Sequence, residues 1–156
     1  MDIVFKALPT KTVREFQAGG LDANNEKPES VKSDGSGNPC RHCLTEIPES
    51  EEMLILSYRP FDKINPYAET GPIFLCASQC KRHAESNALP AMFKEWEKIL
   101  IRGYNNEDRI VYGSGSVIEM SKVEATARQI FKDKQVAYIH MRSASYNCYQ
   151  GQIERA

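Results

Sequence analysis

Lys98-Ile99-Leu100-Ile101-Arg102-Gly103-Tyr104 is followed by the polar stretch Asn105-Asn106-Glu107-Asp108, and then by Arg109-Ile110-Val111-Tyr112 running on to Val117. Two apolar, β-branched and aromatic runs joined by a short polar turn predict paired antiparallel strands, Lys98 to Tyr104 against Arg109 to Val117. Gly113-Ser114-Gly115-Ser116 predicts a bend or bulge within the second strand, where glycine weakens regular pairing. Downstream, Ser121 to Asp133 predicts the longest helix. Ser121 and Glu124 have capping-box spacing, and Val123, Ala127, Ile130 and Phe131 fall on one face. Gln135 to Ser143 and Gln150 to Arg155 predict closing strands.

Upstream, Met53 to Phe61 predicts a strand, and its run Met53-Leu54-Ile55-Leu56 implies burial on both faces. Asn65 to Pro72 is turn chemistry, and Ile73 to Ala77 resumes as a buried strand. Pro90 to Trp96 predicts a short helix opened by proline. Asp2 to Leu8 predicts a strand, and Thr12 to Ala18 a helix stopped by Gly19-Gly20. Leu21 to Pro39 is polar and predicts a long loop within the domain. The expected fold is therefore α+β: a mainly antiparallel sheet, with one long helix and one or two short helices packed on it.

The chain has 156 residues, the size of one domain, so a single α+β domain over 1–156 is expected. Twenty basic residues against 21 acidic leave a formal net charge of −1. That balance argues against nucleic acid and against a polybasic membrane anchor. The opening Met1 to Pro9 lacks the pattern of a secretory signal, and no apolar run approaches membrane-spanning length, so the expected compartment is the cytoplasm. There the five cysteines should be thiols, thiolates or metal ligands rather than a closed disulfide framework.

Four of the cysteines fall in two clusters, Cys40-Arg41-His42-Cys43 and Cys76-Ala77-Ser78-Gln79-Cys80-Lys81-Arg82-His83. A C-x2-C turn presents two thiolates to one tetrahedral ion, and a second pair completes the shell. Cys40, Cys43, Cys76 and Cys80 are the candidate ligands, with His83 as a substitute for one of them. Four thiolates leave no open position and predict structural zinc. A redox role for Cys40 and Cys43 is the alternative. It is weakened by the preceding Gly-Ser loop and by Pro48, which prevent the helix that activates thioredoxin-like thiols. Cys148, beside Tyr146 and Tyr149, reads as packing, because no base accompanies it.

A second pattern is arginine near aromatics on strands: Arg59 after Tyr58, Arg102 before Tyr104, and Arg142 after Tyr138 and His140. Side chains two apart share a sheet face, so Tyr138, His140 and Arg142 form one row and Leu100, Arg102 and Tyr104 another. If the rows converge, their guanidinium forks would suit a carboxylate or phosphate, with Tyr67 and Glu69 from the turn completing the set. Against this, arginine on a wet sheet face is ordinary, and Glu69 could pair with these arginines to make the group structural. No phosphate-binding loop, nucleophile elbow or H-E-x-x-H motif is present.

Pro39-Cys40-Arg41-His42-Cys43-Leu44, Ser57-Tyr58-Arg59-Pro60-Phe61 and Pro66-Tyr67-Ala68-Glu69-Thr70-Gly71-Pro72-Ile73-Phe74 resemble a bacterial family, domain of unknown function 1203. Leu100 to Tyr104, His140 through Cys148 and Ile153 to Ala156 fit it as well. The resemblance implies a bacterial source and one domain, and it carries no established activity. The family pattern has histidine in place of Cys76 and glycine in place of Asn147. The first exchange swaps one zinc-compatible ligand for another. The expected function is a small cytosolic domain, stabilised by zinc, that binds a small anionic ligand or a protein partner. The alternative is an enzyme on a small anionic substrate, with Arg59, Arg102 and Arg142 binding charge and His140 or His42 moving protons.

Overall fold

A computed structural model describes residues 1–156. The chain forms two compact units, each built from separated segments. One comprises Met1–Lys6, Pro60–Glu69 and Glu85–Ala156, and the other Ala7–Arg59 and Thr70–Ala84.

The larger unit holds strands β1 (Ile3–Lys6), β5 (Lys98–Tyr104), β6 (Ser116–Glu119), β7 (Tyr138–Ser143) and β8 (Tyr149–Arg155) in one antiparallel sheet. Their order is β1-β8-β7-β5-β6. Alternation along each strand sorts side chains onto two faces. Ile99 and Ile101 of β5, Ile139 and Met141 of β7, Ile153 of β8, and Ile3 and Phe5 of β1 are buried on one face. Helix α2 (Val123–Ile130) packs on β1 and β5, burying Val123 and Ala127, with Phe131 just beyond its end. Fully burying a side chain of this size is worth about 1.5–3 kcal/mol, so this layer is the unit's main source of stability.

Gly103 is required on that buried face. A Cβ there would lie 2.9 Å from Ser114 Oγ and 3.0 Å from Val136 Cγ1, and Ser114 Oγ accepts the Gly103 N–H at 2.9 Å.

The smaller unit holds β2 (Glu29–Lys32), β3 (Glu52–Tyr58) and β4 (Gly71–Cys76) in an antiparallel sheet of order β2-β3-β4. Met53, Leu54, Leu56, Ile73 and Leu75 are buried, as the apolar runs imply. Helix α1 (Thr10–Gln17) starts after Pro9 and ends at Gly19, whose φ of +87° is the left-handed stop that glycine permits.

The α+β class with dominant antiparallel sheet holds, and three expectations change. The single long helix is absent. Helix α2 has eight residues, extended backwards by a 3-10 turn over Met120–Lys122. No capping box forms, because the Glu124 carboxylate instead accepts the Leu89 N–H at 3.1 Å. The pairing of β5 with Arg109–Val117 is interrupted rather than continuous: Ile110 bridges Tyr104 and the Val111 N–H donates to Gly103 O at 3.0 Å, the chain then bends through Gly113 (φ +89°), and regular pairing runs over Ser116–Glu119. The Leu21–Pro39 segment is not structureless. It contains β2, and Asp22 takes the backbone N–H groups of Asn24, Glu26 and Ser57, while Ser33 donates to Ile47 O at 2.7 Å.

Candidate functional site

The cysteine quartet is assembled entirely within the smaller unit, from a hairpin, a strand end and a loop. The hairpin closes through Ile47 N–H to Asn38 O and Cys40 N–H to Thr45 O, both at 3.0 Å. Leu44 turns it with a φ of +52°. The hairpin docks on β4 through Arg41 N–H to Phe74 O at 3.1 Å, which brings Cys40 and Cys43 beside Cys76, the last residue of that strand. The loop after Cys76 is clamped by α1. Gln17 Nε2 donates to the carbonyls of Cys76 and Ser78 at 2.8 and 2.9 Å, and Arg14 Nη2 donates to that of Cys80 at 2.7 Å.

The result is four sulfurs within 4.8 Å of one another, with Cys40–Cys80 and Cys43–Cys76 each at 3.9 Å. Four thiolates at about 2.3 Å from one ion would stand about 3.8 Å apart along each edge of a regular tetrahedron. The observed separations lie close to that and far from the roughly 2 Å of a disulfide bond; all five cysteines are free. The group of four cysteines could therefore hold a metal ion. The Cys76 N–H also donates to Cys40 Sγ at 3.3 Å.

Charge makes the same case. Hydrogen bonds from the Cys40 and Cys76 thiols, helped by Thr45, hold Cys43 far below the ordinary thiol range. Hydrogen bonding with Cys40 and Cys43, then burial, pushes Cys76 far up, while burial and the charges of Cys40 and Cys43 raise Cys80 to about 12. Four sulfurs packed this tightly share negative charge poorly without a cation among them.

His42 lies at the edge of the quartet, fully buried. Its Nδ1 is 3.0 Å from Cys80 Sγ, and its Nε2 is 2.9 Å from Thr10 Oγ1. Burial, reinforced by Arg14, keeps the ring below the usual histidine pKa and hence neutral. His83 is outside the quartet; its backbone N–H donates to His42 O at 2.8 Å. The contributions of His42, Thr10, Arg14 and Gln17 escape the motif reading. The one signal is that positions 10, 14 and 17 share a helix face, which marks a side without naming what it meets.

In the larger unit, the two arginine-bearing rows do meet. Arg102 pairs with His140 across β5 and β7, and Leu100 with Arg142. The face is not wet: Tyr104 and His140 are fully buried and Arg142 is 3% exposed. The Phe61 ring lies on it, 5.2 Å from Tyr104 and 5.1 Å from His140. Glu69 spans both arginines, with Oε1 at 2.6 Å from Arg102 Nη2 and Oε2 at 3.8 Å from Arg142 Nη1. Asn147 Nδ2 donates to the same Oε2 at 3.0 Å, and Arg142 Nη1 donates to Asn147 O at 3.1 Å. Arg59 belongs to the other unit. Tyr67 shares a turn with Glu69, but its ring packs against Tyr112 and under the Arg109 guanidinium. Asn147, noted in the sequence only as a departure from the family's glycine, sits at a φ of +59° in the turn between β7 and β8.

No helix is long and apolar enough to cross a membrane. No curated protein and no solved structure matches the chain. A family model does match, over residues 37–155, beginning just before the first cysteine and taking in all four sulfurs and the whole Glu69 cluster. The chain belongs to the family described as Protein of unknown function (DUF1203).

Proposed function

We propose that Cys40, Cys43, Cys76 and Cys80 bind one zinc ion as a closed tetrathiolate, and that the ion serves to fix the fold of the smaller unit. The supporting observation is the sulfur geometry: four ligand atoms within 4.8 Å, two of the pairs at 3.9 Å. Four protein ligands leave no position for water or substrate, the arrangement of structural rather than catalytic zinc. The ligands come from distant parts of the chain, Cys43 and Cys76 being 33 residues apart, so one ion ties the hairpin to the end of β4 and the loop beyond it. Binding energy of that kind is folding energy, because the unfolded chain has no preformed site. Thiol redox chemistry at Cys40 and Cys43 is less favoured. Cys40 is fully buried, and the pair sits in a hairpin rather than at a helix N-terminus.

The test is elemental analysis of protein purified without added metal or chelator, beside a Cys40→Ser, Cys43→Ser variant. About one zinc per chain in the native protein, absent from the variant, is the expected result. Hydrogen exchange should then quicken in Ala7–Arg59 and Thr70–Ala84. Iron in place of zinc would replace the ion while keeping the site, since both suit four sulfurs. Fresh, reduced protein without metal would overturn the proposal.

A further inference from the structure

The Glu69 cluster is built for more than the contacts it now makes. Two guanidinium groups, Arg102 and Arg142, face one carboxylate. His140 does not add a third positive charge, because burial, then Arg142 and Arg102, hold it well below the ordinary histidine pKa and so neutral. Arg142 is a buried cation whose side chain is 4% exposed, yet its carboxylate partner stands off at 3.8 Å. Burying a guanidinium with so loose a counter-ion is unfavourable unless something else completes its shell.

Donors are also left over. Arg142 Nε is buried and has no hydrogen-bond partner, and neither does His140 Nε2. Arginine only donates, so the 3.2 Å contact from Arg142 Nη2 makes His140 Nδ1 the acceptor and puts the ring proton on Nε2. Two N–H groups of one hydrogen-bonded pair are thus unsatisfied in a buried setting, and such groups call for a ligand or an ordered water.

The carboxylate that is present comes from the turn-rich loop Asn65–Pro72, not from the sheet, and its side chain is 35% exposed. Its partners address the two oxygens separately, Arg102 at Oε1 and Asn147 with Arg142 at Oε2. This is the recognition pattern of a carboxylate, with a planar two-oxygen group between donors on two strands and a turn.

We propose that Arg102, Arg142 and Asn147 form a binding site for the carboxylate of a small ligand, and that Glu69 fills this site from within until a ligand carboxylate displaces it. The site lies in the larger unit and is independent of the metal proposal, so neither stands or falls with the other. Glu69 acts as an internal competitor. It lowers the apparent affinity by the fraction of molecules in which it has swung out, so a ligand that meets the site open in about a tenth of molecules binds about tenfold more weakly than to a site kept open.

The experiment uses acetate as the probe on the full chain, at constant ionic strength set with chloride, followed by NMR at the Arg142 Nε–H. Glu69→Gln keeps the shape of the side chain and removes its charge. The expected result is saturable acetate binding that is at least about tenfold tighter in Glu69→Gln than in the native protein. It should be lost when Arg102→Met is added to that variant. The half-buried Arg102 is chosen for removal because loss of the fully buried Arg142 risks the fold. Should Glu69→Gln itself unfold, Glu69→Ala provides the second measurement, as acetate should raise its melting temperature more than equal chloride does. Equal affinity in native and Glu69→Gln proteins, binding that survives Arg102→Met, or a response to inorganic phosphate but not to acetate would each overturn the proposal.

Discussion

Acidification should destabilise this protein through His140. The ring is fully buried, with the Arg142 guanidinium 3.2 Å from Nδ1 and Arg102 opposite on β5. The rings of Phe61, Tyr104, Tyr138 and Tyr149 surround it at 4.6–5.1 Å. None of these neighbours stabilises an imidazolium enough to offset burial beside two cations, so the folded state keeps the ring neutral well below its unfolded pKa of 6.5. The sign follows from proton counting. Below pH 6.5 the unfolded chain binds a proton that the folded chain does not, so stability falls as pH falls, and the loss continues down to the depressed folded pKa. Between about pH 7 and about pH 5.5 this one group should remove about 1 kcal/mol. The assay is urea unfolding at both pH values for the native protein and for His140→Gln, which has no titrating ring. Contributions from the thiolates, His42 and the surface carboxylates are common to both proteins and cancel in the difference. The native protein should lose about 1 kcal/mol more than the variant, and equal losses would refute the claim that His140 is held neutral.

Two further outcomes follow from the geometry. His42→Ala removes the ring 3.0 Å from Cys80 Sγ, which should weaken metal binding by about 10–100-fold in a competitive chelator titration; an unchanged affinity would mean the contact is incidental. Gly103→Ala drives a methyl group to 2.9 Å from Ser114 Oγ, so the urea midpoint should drop by the equivalent of about 1–3 kcal/mol, and an unshifted midpoint would contradict the packing described.

Much of the fold is legible in period and punctuation. The run Met53 to Leu56, the row Tyr138-His140-Arg142 and the glycines after α1 each act locally, and the structure places strands and stops where they indicate. What fails is where a local signal meets a tertiary competitor. Ser121 and Glu124 have capping-box spacing, but Glu124 is taken by the Leu89 N–H. Arg109 to Tyr112 has strand composition, yet it makes only a bridge from Ile110 to Tyr104 before Ser114 is held against Gly103, and regular pairing waits until Ser116. The cysteines are legible because their chemistry requires spacing within each pair. Their supports are not, since Thr10, Arg14 and Gln17 become relevant through a docking 32 to 66 residues distant. The same holds for Glu69 and Arg102, 33 residues apart. Face parity could align the arginines, but only the loop's path brings the carboxylate to them.

The route of the chain also sets an order of assembly. All four sulfurs and every strand of the smaller sheet lie before Ala84, so that unit can close while the rest of the protein is still being synthesised. The larger sheet has the opposite logic. Its first strand pairs Ile3 with Arg155, so β1 must wait unpaired until β8, more than a hundred residues later, has been made. Contacts so distant in sequence form slowly and leave strand edges open meanwhile. An early-closing unit placed within the chain shortens the length that must search for this pairing.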